Sequence, residues 1–119
     1  RFADRFNGLH VPLVLSSPAL RCVQTVTPLA TAKGLSVTST TLLLESSSFT
    51  NVIDLLLNVA DGTVLCSHGD VIPDTISALE RRGMDVVGAA DWRKGATWLL
   101  ERRGDCVASA STWAPPPSD

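Results

Sequence analysis

Residues 11–34, VPLVLSSPALRCVQTVTPLATAKG, decide how this chain folds. The first six, VPLVLS, form a compact apolar run of the buried-strand type. Pro12 stands near its start, where a missing N–H costs least. Ser17-Pro18 then reads as an N-cap followed by the first helical position. Across residues 19–33, Leu20, Val23, Val26, Leu29 and Ala30 recur at helical spacing, and Gly34 stops the run. Pro28 falls inside and is expected to kink the helix or end it early. A buried strand running straight into a helix points to an α/β fold.

The alternation continues downstream. Residues 35–41 are rich in β-branched side chains and read as a strand. Residues 49–60, FTNVIDLLLNVA, read as a leucine-rich helix ended by Asp61-Gly62. Residues 63–67, TVLCS, are a third buried strand. Asp70 can cap a helix running to Arg82, with Pro73 tolerated in its first turn and Gly83 closing it. Residues 95–101 and 105–112 are two strands joined by the tight hairpin Arg102-Arg103-Gly104. Upstream, residues 1–9 are short and polar, the stub of a helix closing at Gly8. The order predicts an α/β three-layer sandwich with a mostly parallel sheet and a C-terminal antiparallel hairpin. Residues 1–114 would form one domain and residues 115–119 a proline-rich tail.

Composition narrows the function classes. The chain has 119 residues, 45% hydrophobic and 18% charged, which is the make-up of a packed domain and not of a disordered segment. Its net charge is -2 and no basic stripe occurs, which argues against nucleic acid as a partner. Arg81-Arg82 and Arg102-Arg103 read as solvated basic ends of a helix and a turn. No apolar run is long enough to span a bilayer, so no membrane partner is expected. The three cysteines, Cys22, Cys66 and Cys106, are odd in number and form no C-x-x-C pair. That favours a reducing, cytoplasmic setting over a disulfide framework.

In open α/β sheets ligands bind where strands end and helices begin, which singles out two loops. In Ser16-Ser17-Pro18, serine hydroxyls stand before a helix start, and Arg21 lies in its first turn. A helix N-terminus beside a guanidinium is an anion site. A serine cap with a surface arginine is the plain alternative. In Ser67-His68-Gly69-Asp70, an apolar strand delivers His68 toward a cleft, and Gly69 leaves room for a ligand against the backbone. A histidine bonded to a neighbouring loop is the alternative there. His10 precedes the first strand, on the opposite side of the sheet, and reads as a surface residue.

Rival chemistries fail on spacing. A cysteine-phosphatase loop built on Cys66 needs an arginine six residues on, where Ile72 stands. Cys66 also lies within a strand, where an inert thiol is expected. Leu65 replaces the glycine that a nucleophile elbow at Ser67 requires. Neither a Walker motif nor a dinucleotide fingerprint occurs, and two distant histidines make no zinc site. No cofactor and no metal is expected.

Together the two loops resemble the histidine-phosphatase (phosphoglycerate-mutase-like) superfamily. Residues 16–25, SSPALRCVQT, are similar to its S-S-P-x-x-R-x-x-x-T signature, and Ser67-His68-Gly69-Asp70 to its second histidine motif. Residues 94–100, KGATWLL, with the proline-rich end, resemble the small phosphohistidine-phosphatase-like branch, including phosphatase domains fused behind Nudix hydrolases. The resemblance implies a metal-independent phosphatase. A histidine attacks phosphorus, the phosphohistidine is hydrolysed by water, and a carboxylic acid protonates the leaving group. It assigns His68 as the second catalytic histidine and Arg21, Ser17 and Gly69 to the phosphate. Glu45, after Leu42-Leu43-Leu44, is the candidate acid, with a solvated loop carboxylate as the alternative. The substrate would be a small phosphorylated compound or a phosphohistidine protein, with an upstream Nudix domain as a partner.

One departure weighs against activity. The family nucleophile sits in an R-H-G or R-H-A motif at the end of the first strand, and no such motif precedes Ser16. In the family that strand lies inside the sheet, so its absence should leave unpaired edges on its neighbours. The chain alone is therefore expected to be inactive or very weak. The alternative is a degenerate, non-catalytic phosphate-binding or interaction module.

Overall fold

The computed structural model describes residues 2–116; of the expected tail it covers Pro115 and Pro116, while Pro117, Ser118, Asp119 and Arg1 lie outside the described residues. The apolar run at residues 11–16 yields a three-residue strand, β1 (Val14–Ser16), buried along its whole length. Parallel neighbours flank it, β2 (Val37–Ser39) on one side and β3 (Val64–Cys66) on the other. Successive residues point to opposite faces. Val14 joins a cluster with Phe6, Val26, Leu29 and Ala30, while Leu15 joins Leu43, Val52 and Val71.

Helix α1 (Leu20–Ala32) covers the first of these faces. It starts two residues later than the Ser17-Pro18 reading places it. Ala19 is the capping position, and the Ser17 hydroxyl accepts the Ala19 N–H at 3.2 Å. The helix runs through Pro28 to Ala32 instead of stopping there; Pro28 is exposed, so its missing donor leaves a carbonyl that water can reach. Its buried stripe is Cys22, Val26, Leu29 and Ala30, whereas Leu20 is 70% exposed. Gly34 ends it as expected, at φ +70°, with Leu35 N–H bonded to Ala30 O and Gly34 N–H to Thr31 O, a Schellman turn.

Helices α2 (Phe49–Asn58) and α3 (Val71–Arg81) lie together on the other face. Ser48 caps α2 by accepting the Thr50 N–H. α3 ends like α1, with Gly83 in the left-handed region and Met84 N–H on Leu79 O. α2 has no glycine at its end, and a side chain from the hairpin supplies the donors. Arg102 Nη1 bonds the carbonyls of Leu56 at 3.0 Å and Val59 at 2.6 Å, and Nη2 bonds Asp61. The reading of Arg102 as a solvated turn residue is thus corrected. Its side chain is only 22% exposed, and it lies inside strand β5.

The hairpin is β5 (Thr97–Arg103) and β6 (Cys106–Trp113), paired antiparallel with an irregularity between Glu101 and Arg102. The turn is Gly104-Asp105, starting one residue beyond the expected centre at Arg103, because Arg102 and Arg103 both belong to the ladder. A two-residue strand, β4 (Asp85–Val86), absent from the sequence reading, pairs parallel with β6. The six strands therefore form two three-stranded sheets, ordered β2-β1-β3 and β4-β6-β5, and not one continuous sheet. The architecture is mixed α/β, with a parallel sheet and an antiparallel hairpin. No helix among the described residues is long and apolar enough to cross a membrane.

Among the described residues, nothing pairs with the outer edge of β3 or with that of β5. Both edges line one cavity of about 1470 Å³. Arg102, near the end of β5, bonds Asp61, just before β3 begins, so the two edges run in opposite directions.

Candidate functional site

The parallel β1–β3 pairing brings the two loops together. Ser16 is registered against Cys66, and the ladder extends one step further through Ser17 N–H to Cys66 O at 2.9 Å. The residues after each strand, Ser17 and Ser67-His68, are therefore neighbours. α1 and α3 both begin at this end, and their partly positive N-termini lie over the same place.

His68 is 5% exposed and Ser17 fully buried. The Ser17 Oγ lies 2.8 Å from His68 Nε2, and Arg21 Nη2 lies 3.1 Å from His68 Nδ1. A guanidinium only donates, so Nδ1 accepts and the ring proton sits on Nε2, donated to Ser17. Ser17 Oγ then accepts twice, from His68 and from the Ala19 N–H. Cys22 Sγ donates to Ser67 O at 3.5 Å and stands 3.8 Å from His68 Nε2, closing the buried side.

On the open side, the Glu45 carboxylate hydrogen-bonds Arg21 and lies 3.6 Å from His68 Nδ1. The Arg21 and Glu45 side chains are 65% and 61% exposed, so the guanidinium can exchange Glu45 for a solvent anion. A Cβ at Gly69 would meet no atom within 4 Å; neither packing nor a left-handed backbone demands glycine there, and the surface beside His68 is open. The five residues singled out from sequence, Ser17, Arg21, Glu45, His68 and Gly69, thus meet at one place. His10 does not. It is exposed at the far end of β3, where its carbonyl would stand 2.5 Å from a Cβ at Gly62.

Sequence reasoning missed the ties that hold Glu45. Asp70 was expected to cap α3, but its side chain makes no cap bond there. Its Oδ2 accepts the Ser46 N–H at 2.7 Å instead. That bond, then the N–H groups of Asp70 and Val71 and the nearby His68, hold the Asp70 carboxyl below the usual carboxylate range. Ser46 is kept at φ +63°, a conformation that costs a non-glycine residue roughly 1 kcal/mol. Ser67 Oγ donates to Leu43 O at 2.7 Å and pins the other side of the same segment. No local motif signals these ties, because they join segments more than twenty residues apart.

Cys66 is no nucleophile. Burial and then the adjacent Cys22 thiol push its pKa up to about 12, which keeps it protonated near neutrality. What remains is a dry imidazole of fixed tautomer beside an accessible guanidinium, an arrangement suited to holding an oxyanion. No protein-family model matches this chain, and no curated protein does.

Proposed function

We propose that the chain carries the phosphoryl-binding part of a histidine-phosphatase-type site, in a domain whose full form is a three-layer sandwich with one more strand. The observation that carries this reading is the convergence of Arg21 and His68, 3.1 Å apart, from two different helix starts. On this reading Arg21 holds phosphoryl oxygens, the imidazole of His68, anchored on Ser17, positions the Arg21 guanidinium, and Gly69 lets the ligand approach the backbone. Glu45 is placed to protonate a leaving group. The nucleophile is a further histidine, supplied with the missing strand: its nitrogen bonds phosphorus as the P–O bond to the leaving group breaks, and water then splits the phosphohistidine. The substrate is a small phosphate ester, a nucleotide phosphate or a phosphohistidine protein, and a Nudix domain is a fitting neighbour in the full protein.

A second reading has its own support. Both ring nitrogens of His68 are engaged, and His10 stands at the other end of β3. A chain with no free imidazole at the site fits a non-catalytic phosphate-binding module.

The test is titration of the chain with inorganic phosphate, alongside turnover of a generic phosphomonoester. Both readings expect binding that His68→Ala and Arg21→Ala each weaken. Turnover restored on extending the chain with an R-H-G strand selects the phosphatase; binding with no turnover in the extended chain selects the module. Absence of phosphate binding defeats both.

A further inference from the structure

We infer that Ser67 and Asp70, the outer residues of the loop that carries His68, are positioning residues, a role that rests on the anion site proposed above. They bracket Glu45 from both sides and hold its carboxylate on Arg21, so the loop sets how readily an anion takes the place of Glu45.

The bracket consists of two bonds. Ser67 Oγ donates to Leu43 O at 2.7 Å, and Asp70 Oδ2 accepts the Ser46 N–H at 2.7 Å. Glu45 stands between those two attachment points. From the middle of the same loop, His68 Nδ1 meets Arg21 at 3.1 Å. One four-residue loop therefore fixes both members of the Arg21–Glu45 pair, each from its own side.

Glu45 needs such a restraint. Its side chain is largely exposed, so packing does not choose its position, and an exposed ion pair gains little when two long side chains must first be ordered. The segment's own bonds are local: Leu44 N–H to Thr41 O and Ser47 N–H to Leu44 O. They shape the turn but do not tie it to the site loop.

The two attachments differ in weight. Leu43 is buried in the core, which holds it with or without Ser67. Ser46 is exposed and, among the described residues, is the non-glycine residue at positive φ, at +63°. A serine stays in the left-handed region only where its surroundings hold it there, and the Asp70 carboxylate supplies a charge-assisted bond at that residue. The carboxylate forgoes the cap of α3 to make it. Asp70 is the stronger half of the bracket.

The experiment uses the whole chain and inorganic phosphate. Asp70→Ala and Asp70→Asn remove the same charge, but only the second keeps an oxygen for the Ser46 N–H. NMR couplings read the Ser46 φ and the Glu45 rotamer without any ligand, and calorimetry reads phosphate affinity. Asp70→Ala is expected to release Ser46 from the left-handed region and to average the Glu45 rotamer, while Asp70→Asn keeps both. Where phosphate binds, Asp70→Ala should bind it about 1.5- to 5-fold more tightly than Asp70→Asn, the span of an exposed ion pair set free. In a Glu45→Gln background that difference should vanish. Ser67→Ala should loosen Glu45 in the same direction but less, and it carries the test if Asp70→Ala does not fold. Asp74→Ala removes another acid from the first turn of α3, at an exposed position, and should leave the couplings unchanged. Couplings unaltered in Asp70→Ala, equal phosphate affinity of the two Asp70 variants, a difference that persists without Glu45, or the same loosening in Asp74→Ala overturns the assignment. If the unmodified chain binds no phosphate, the anion reading fails, and the couplings alone decide whether the bracket holds Glu45.

Discussion

Replacing Glu45 with glutamine should tighten phosphate binding. In the folded chain the Glu45 carboxylate holds Arg21, the group that a phosphoryl anion needs. An incoming phosphate must displace it. With side chains 65% and 61% exposed, the ion pair belongs to the solvent-screened class, worth about 0.2–1 kcal/mol. The same carboxylate lies 3.6 Å from His68 Nδ1 and repels the anion, at roughly 1 kcal/mol for unit charges in a water-like medium. Removing its charge therefore releases about 1.2–2 kcal/mol, a gain of roughly 7- to 30-fold in affinity. Arg21→Ala should act oppositely, losing charged hydrogen bonds worth about 1.5–3 kcal/mol, roughly 10- to 150-fold. In the double variant the Glu45→Gln gain should shrink, because no guanidinium remains to be competed for. Calorimetric titration with inorganic phosphate measures all four species of the cycle, and raising the salt should narrow the differences. Weaker phosphate binding in Glu45→Gln would refute the reasoning, since the carboxylate would then support the ligand and not compete with it.

Other consequences follow from the fold. Arg102→Gln should lower stability by about 1–3 kcal/mol, since its guanidinium satisfies the end of α2, while Arg103→Gln, 75% exposed, should stay within about 0.5 kcal/mol. Urea midpoints at unchanged slope decide this, and equal effects would contradict it. The Asp70 carboxyl is held below its unfolded value, so its contribution is present above the ordinary carboxylate range and is lost as pH falls through the folded pKa. Asp70→Asn should therefore flatten the stability–pH curve below about pH 4, and an unchanged acid limb would count against the Ser46 bond. Cys106 is exposed and should be alkylated first, whereas Cys66 should resist at about pH 8 until the chain unfolds; mass-mapped co-labelling of both would overturn the protonated-thiol assignment.

What was legible in the sequence is what local chemistry dictates. Gly34 and Gly83 mark helix ends because a Schellman turn needs a left-handed residue, and glycine adopts it without cost. The meeting of Ser17, Arg21 and His68 was legible because neighbouring parallel strands put their C-terminal loops side by side. What was not legible depends on distant partners. Leu20 fits the helical period, yet Cys22 takes the inward place, because the first turn leans over the buried Ser17–His68 contact and not over the aliphatic cluster. Arg102 looks like a turn residue until α2 presents carbonyls to it. Strand β4 has two residues and exists only because β6 lies beside it. Asp70 sits where a cap belongs, but the Ser46 amide competes for its carboxylate and wins.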